Sequence, residues 1–202
     1  MTKRKVAVFA AFITTTLFGG NAKGDEKNKN YNPNGDRTQI EYCYVSVRAT
    51  TYHKNEPDSD PDTRRGMSST GVKLREGKPT VVGTIAADPK LVPIGSLVLV
   101  TGKDGKTYPY LCVDIGGDVT DRTASRRLAR REGRNKEWAT RPVVDIYSSR
   151  ENIHDWTTVL IVKDSSLDDL KYSKMQKCLE ERMTVSYWLS RGVKMSNQRQ
   201  LL

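Results

Sequence analysis

Histidine is nearly missing from this chain, with only His53 and His154 among 202 residues. A thiol or hydroxyl nucleophile needs a base beside it, so Cys–His chemistry is disfavoured. His154 also has no histidine or cysteine at metal-ligand spacing, and His53, after a strand, is either incidental or a substrate contact. Gly-x-Ser-x-Gly elbows and Walker-type phosphate loops are absent, which removes two common hydrolase and nucleotide chemistries. No repeat at a solenoid period occurs. Asp58, Asp60 and Asp62 alternate as in a calcium loop, but the glycine and distal glutamate of an EF-hand are missing, which leaves a solvated acidic loop.

One apolar run is long enough to matter, residues 6–18, and it is shorter than the roughly 20 residues that span a bilayer. It follows Lys3-Arg4-Lys5 and ends in Gly-Gly-Asn-Ala, the layout of a secretory signal peptide cleaved near Ala22. No cysteine follows at once, so no lipid anchor and no stable membrane anchor is expected, and the mature protein is expected to be secreted or periplasmic. Loss of three cations lowers the formal charge from +10 to +7. That balance suits an anionic partner, and export favours wall polymer over nucleic acid.

Residues 23–38 have almost no apolar content and read as a disordered linker. The remainder is enough for one domain with attachments. IEYCYVSVRATTY alternates so that Cys43, Val45, Val47 and Ala49 share one face and Tyr42, Tyr44 and Ser46 the other, a half-buried strand. Residues 80–100 read as strand, Asp-Pro corner, strand. Residues 102–106 supply a hairpin turn, and YPYLCVD and TTVLIVKD supply further strands.

Three aspartates end apolar runs: Asp88 in IAADP, Asp114 in LCVDIGG and Asp145 in VVDIY. A charged side chain is out of place there unless it is paired, hydrogen-bonded or functional. Gly116 and Gly117 are expected to turn the backbone with positive φ and leave room above Asp114. Asp88 either caps the Asp-Pro corner or lines a site with the other two. Ser69 and Thr70, in Ser68-Ser69-Thr70-Gly71, are either ligand-binding hydroxyls or part of an ordinary turn.

The series IAADPKLVPIGSLVLV, YLCVDIGG and VVDIY, preceded by TTYH and SSTG, resembles the three-aspartate (3D) domain family. These are the double-psi β-barrels of membrane-bound lytic transglycosylase A and the stationary-phase muralytic proteins. The resemblance covers roughly residues 45–163 and implies a mainly β, six-stranded double-psi barrel over residues 39–164. The implied activity is that of a lytic transglycosylase cleaving the MurNAc–GlcNAc bond of peptidoglycan glycan strands and leaving 1,6-anhydro-MurNAc ends. It implies Asp145 as acid/base, Asp114 as the group that holds the proton balance and orients the sugar, and Asp88 as support. Ser69, Thr70, Gly116 and Gly117 are implied to border the groove, and neither metal nor organic cofactor is implied. The chain departs from the family at residues 118–141, a longer insert without the usual Ala-Ile-Lys-Gly segment. That departure supports an alternative, a non-catalytic wall-binding barrel of the expansin-related type.

Clustered acids fit the same chemistry independently, because glycosidic cleavage needs one protonated carboxyl and like-charge neighbours favour keeping one. Within the insert, a short helix is expected over about residues 123–132, stopped by Gly133. Its arginines 126, 127, 130, 131 and 134 form either a solvated basic face or a groove wall. Ser165 or Ser166 is expected to cap an amphipathic C-terminal helix with Leu167, Leu170, Met175, Cys178, Leu179, Met183 and Leu189 as its stripe, within residues 165–202. That helix packs on the barrel or pairs two copies into a homodimer. Cys43, Cys112 and Cys178 allow three pairings, and one disulfide with one free thiol is expected after export.

Overall fold

The alternating run becomes strand β1 (Ile40–Tyr52), and the later β-rich runs become β2 (Gly83–Ala87), β3 (Leu97–Thr101), β4 (Thr107–Asp114), β5 (Val143–Tyr147) and β6 (Trp156–Asp164). This is a computed structural model describing residues 40–195 except 58, 103, 121–122, 135, 150–155, 165–166 and 168–171. The expected leader over residues 1–22 and linker over 23–38 lie outside the described residues, as do Ser165, Ser166, Leu170 and His154. No described helix is long and apolar enough to cross a membrane.

The six strands close into a barrel in the order β1-β5-β2-β4-β3-β6. Two pairs are parallel, β1 with β5 and β2 with β4, and the others are antiparallel. Alternate residues of every strand fill the interior: Val47 and Ala49, Ile85 and Ala87, Val98 and Val100, Tyr110 and Cys112, Val144 and Ile146, Val159 and Ile161. A period of two against a closed sheet leaves the intervening residues on the outside. The mainly β expectation holds at the level of a closed six-strand barrel with a few short helices. Gly105, at φ +73, turns the β3–β4 hairpin, where Gly102 donates its N–H to the Lys106 carbonyl at 2.8 Å.

Cys43 shares the face of Val45, Val47 and Ala49, as the regular β6 ladder requires, but that face is not covered there. It is exposed, because the first part of β1 runs beyond the closed interior and pairs there with β6 alone. No disulfide forms: Cys112 is buried inside the barrel, and Cys178 packs against a separate cluster outside it. The expected staple is therefore replaced by three free thiols.

That outer cluster joins Leu97, Leu99, Leu111, Val113 and Val162 to Leu167, Leu179, Met183 and Trp188. Helices α5 (Tyr172–Arg182) and α6 (Val185–Ser190) cover the wall where one continuous helix was expected. Thr184 divides them. Its extended backbone stops α5, and its hydroxyl accepts the Tyr187 N–H at 3.2 Å to start α6. The helical phase restarts there, so Trp188 is buried while Leu189, assigned to the stripe, is 54% exposed. The insert holds α2 (Gly117–Thr120), α3 (Thr123–Arg131) and α4 (Lys136–Thr140), with Gly133 at φ +64 just after α3 as expected. Trp138 of α4 lies under the buried Arg48 guanidinium, 4.1 Å from ring centroid to carbon, and ties the insert to β1.

Candidate functional site

Ala86 of β2 stands between two carboxylates. Across the antiparallel β2–β5 ladder its register partner is Asp145, and across the parallel β2–β4 ladder it is Asp114. The second pairing depends on a register shift between Ile85 and Ala86, since Ile85 faces Cys112 and Val113 is the extra residue. A bulge of this kind re-aims the residue that follows it. It also removes Val113 from the regular ladder, and the Thr70 hydroxyl donates to the Val113 carbonyl at 2.6 Å. Thr70 is buried, so its hydroxyl supports the bulge rather than lining the opening. The Ser68 hydroxyl lies 3.0 Å from the Thr70 oxygen, accepts the Val72 N–H at 3.1 Å and completes the support from inside the turn.

Asp114 is held on both oxygens. Oδ1 accepts the backbone N–H groups of Ser69 at 2.9 Å and Ile115 at 3.0 Å, and Oδ2 accepts the Tyr52 hydroxyl at 3.2 Å. Only 7% of Asp114 is exposed, which makes these bonds its compensation for lost water. Asp145 accepts the Thr50 hydroxyl at 2.7 Å, from its register partner in the parallel β1–β5 ladder. Burial first, then the charges of Asp114 and Asp145, hold the Tyr52 phenol far above its ordinary pKa. It stays a donor, and both acids act electrostatically on the same hydroxyl.

The acids border an open cleft of about 290 Å³ lined by Tyr52, Ser69, Ala86, Ile115, Gly116 and, across from them, residues 60–63. The expected acidic loop supplies that opposite side as a helical turn, α1 (Pro61–Arg64). Asp60 caps it, accepting the Asp62 and Thr63 N–H groups at 2.8 and 2.9 Å and the Thr63 hydroxyl at 2.8 Å. The Thr63 N–H first among these bonds lowers the Asp60 pKa. No Lys, Arg or His is among the lining residues, and Asp62 is in ion contact with Arg65.

No family model matches the chain, and no curated protein matches it.

The expected site residues thus divide. Asp114, Asp145, Ser69 and Gly116 line the cleft, whereas Asp88, Thr70 and Gly117 are not among its lining. Asp88 caps the corner after β2: its carboxylate accepts the Lys90 N–H at 3.0 Å and its carbonyl accepts those of Leu91 and Val92. Gly116 and Gly117 do not take positive φ; the chain passes through them directly into α2. A Cβ on Gly116 would meet only Val119 and Ala86, at 3.6 Å and beyond, so neither backbone angle nor crowding requires glycine there. His53 is not among the lining residues, and its Nδ1 accepts the Asn55 N–H at 3.2 Å.

Thr50 and Tyr52 are site residues that sequence reasoning did not single out, while Asp60 and Asp62, read there as part of a solvated acidic loop, border the cleft. Alternation in β1 offered a signal for the first two: with Val47 and Ala49 inward, Thr50 and Tyr52 share the opposite face.

Proposed function

We propose that this chain is a wall-active lytic transglycosylase of the three-aspartate type, exported and acting on peptidoglycan glycan strands. The observation that carries the proposal is the meeting of Asp114 and Asp145 in one cleft, from strands that are each paired to Ala86 and not to one another. A double-psi reading of the barrel is supported by its two parallel strand pairs within an otherwise antiparallel closed sheet.

The roles follow from how each acid is held. Asp114 is engaged as an acceptor on both oxygens, which fixes its orientation and suits it to bind sugar hydroxyls and balance charge. Asp145, with the Thr50 hydroxyl on Oδ1, is the acid/base. As acid it gives its proton to the leaving glycosidic oxygen while the C1–O bond breaks. As base it then takes the proton of the muramyl C6 hydroxyl, whose oxygen bonds to C1 and closes the 1,6-anhydro ring. Protons balance over the cycle, water is not consumed, and the residue returns to its protonated form. Tyr52 and Ser69 position Asp114, and Asp88 holds the corner at the end of β2.

Mass spectrometry of purified peptidoglycan after incubation with the mature protein tests this reading. Anhydro-muropeptides support it, reducing ends indicate hydrolysis instead, and sedimentation with the wall without any product indicates a binding barrel.

A further inference from the structure

Strand β1 has unequal neighbours on its two edges. β6 pairs with it from Ile40 to Arg48, whereas β5 pairs with it only from Arg48 to Tyr52. Among the described residues, residues 40–46 therefore have a strand on one edge and none on the other. Hydrogen bonds further along identify which backbone groups face that open edge. Arg48 donates its N–H to the Pro142 carbonyl on the β5 side at 2.8 Å, and the Tyr52 carbonyl accepts the Ser148 N–H on the same side at 3.0 Å. In a strand, N–H and C=O of one residue point to one side and those of the next to the other. Ile40, Tyr42, Tyr44 and Ser46 thus aim both groups at the open edge, and the odd-numbered residues aim theirs at β6.

Exposed edges are normally blunted by lysine, proline or a bulge. The run Ile-Glu-Tyr-Cys-Tyr-Val-Ser has neither lysine nor proline, its ladder to β6 is regular, and Tyr42 and Tyr44 are 49% and 56% exposed. The open stretch is also symmetric about Cys43. A twofold axis there sets residue 40 opposite 46 and 42 opposite 44, so all four outward-aimed residues meet as hydrogen-bonded pairs. The same register places Tyr42 across from Tyr44 of the other copy, twice, on one face of the new sheet. Sliding the copy by two residues loses one of those tyrosine pairings and shortens the ladder. Extending it is blocked where β5 takes the edge at Arg48, an end marked by the Arg141 guanidinium on the Ser46 hydroxyl at 2.8 Å.

We propose that a second copy of this chain pairs antiparallel with residues 40–46 of β1, with the twofold axis at Cys43, joining two barrels through one continuous sheet. In this register Cys43 faces its own copy as a narrow, non-hydrogen-bonded pair, about 4.5 Å between Cα atoms. The thiols therefore report on the register without being needed for assembly.

Sedimentation of the mature chain over a concentration series tests the proposal, and the expected result is a molar mass that doubles as concentration rises. Tyr44→Pro removes an N–H aimed at the open edge and leaves the β6 ladder intact, so a folded monomer is expected. If that variant fails to fold, Tyr42→Lys with Tyr44→Lys keeps the ladder, sets like charges across the axis and is expected to be monomeric. Mild diamide, which takes one hydrogen from each of two thiols, should link the copies through Cys43. Cys43→Ser should abolish the link while the sedimenting dimer remains. A wild-type protein that stays monomeric at every concentration overturns the proposal. So does a dimer that survives both edge variants, or a diamide link that persists in Cys43→Ser.

Discussion

The Tyr52 hydroxyl donates to Asp114 at 3.2 Å while its ring meets Tyr147 edge-on, with centroids 5.5 Å apart. One phenol therefore braces the carboxylate of β4 against the end of β1 and packs on the strand that carries Asp145. Tyr52→Phe keeps the ring contact and removes only the donor. We expect turnover on peptidoglycan to fall by about tenfold with little change in wall binding, since a misplaced group costs rate more than affinity. Steady-state kinetics beside a sedimentation assay checks this, and unchanged turnover would remove Tyr52 from the site.

The aspartates should separate by role. Asp145→Asn keeps size but cannot deliver a proton, so anhydro-product formation should drop by about 10² or more while the folded protein still binds wall. Asp114→Asn should also impair turnover. Asp88→Asn should leave turnover near wild type and cost about 1 kcal/mol of stability or less, because the corner cap is what its carboxylate provides. Full activity in a folded Asp145→Asn protein would refute its assignment as acid/base.

Much of this arrangement was legible in the sequence. The apolar alternation of β1 and the turn glycine before β4 mark strands through local chemistry, and of the three acids that end apolar runs Asp114 and Asp145 meet in the cleft while Asp88 caps a corner. Alternation in β1 puts Thr50 and Tyr52 on one face but does not place them at the site, since their partners lie 95 and 62 residues away and meet them only when β1 closes the barrel. The acidic stretch before Arg64 hid α1 because Asp and Pro mark loops and helix starts alike, and only the cap geometry decides. The break at Thr184 was lost for a similar reason: a hydroxyl that caps a second helix looks like an ordinary polar position within one. Cys43 misled because alternation predicts a face, while the length over which the barrel is closed decides whether that face is covered.

Thr70 should matter to stability and, through the bulge, to rate. Thr70→Val is nearly isosteric and removes the donor that meets the Val113 carbonyl, leaving a buried acceptor unpaired. A loss of about 1–3 kcal/mol in urea unfolding is expected. Turnover should fall with it, since the same bulge sets Ala86 opposite Asp114. Thr70→Ser restores the hydroxyl and should recover most of both.

The C-terminal helices are held to the barrel by charge as well as by apolar contact. Arg182 and Asp164, both almost fully buried, are 3.2 Å apart, Arg182 donates to the Gly95 carbonyl at 2.7 Å, and the Tyr187 hydroxyl donates to Asp164 at 2.9 Å. Asp164→Asn leaves a buried guanidinium without its counter-charge and should cost about 3–5 kcal/mol. Replacing both, as Asp164→Leu with Arg182→Met, should cost clearly less than the single change. A double replacement as damaging as the single one would show that the pair is not what makes the loss large.

Alkaline sensitivity should originate inside the barrel. Burial is the main cause that pushes the Cys112 thiol from 9.0 up to about 12, and Tyr52 is likewise raised. The unfolded chain gives up the thiol proton near 9 while the folded chain keeps it, so rising pH favours the unfolded state. The contribution is fully present below pH 9 and is lost as pH climbs toward 12, at a slope of roughly 1.4 kcal/mol per pH unit. Tyr52 adds to the slope once pH passes its ordinary value of 10.0. Urea midpoints between pH 8 and 10 should therefore fall more steeply for the wild type than for Cys112→Ala, although the variant starts lower because it leaves a small void. Equal slopes in the two proteins would mean that the thiol is not the group that titrates on unfolding.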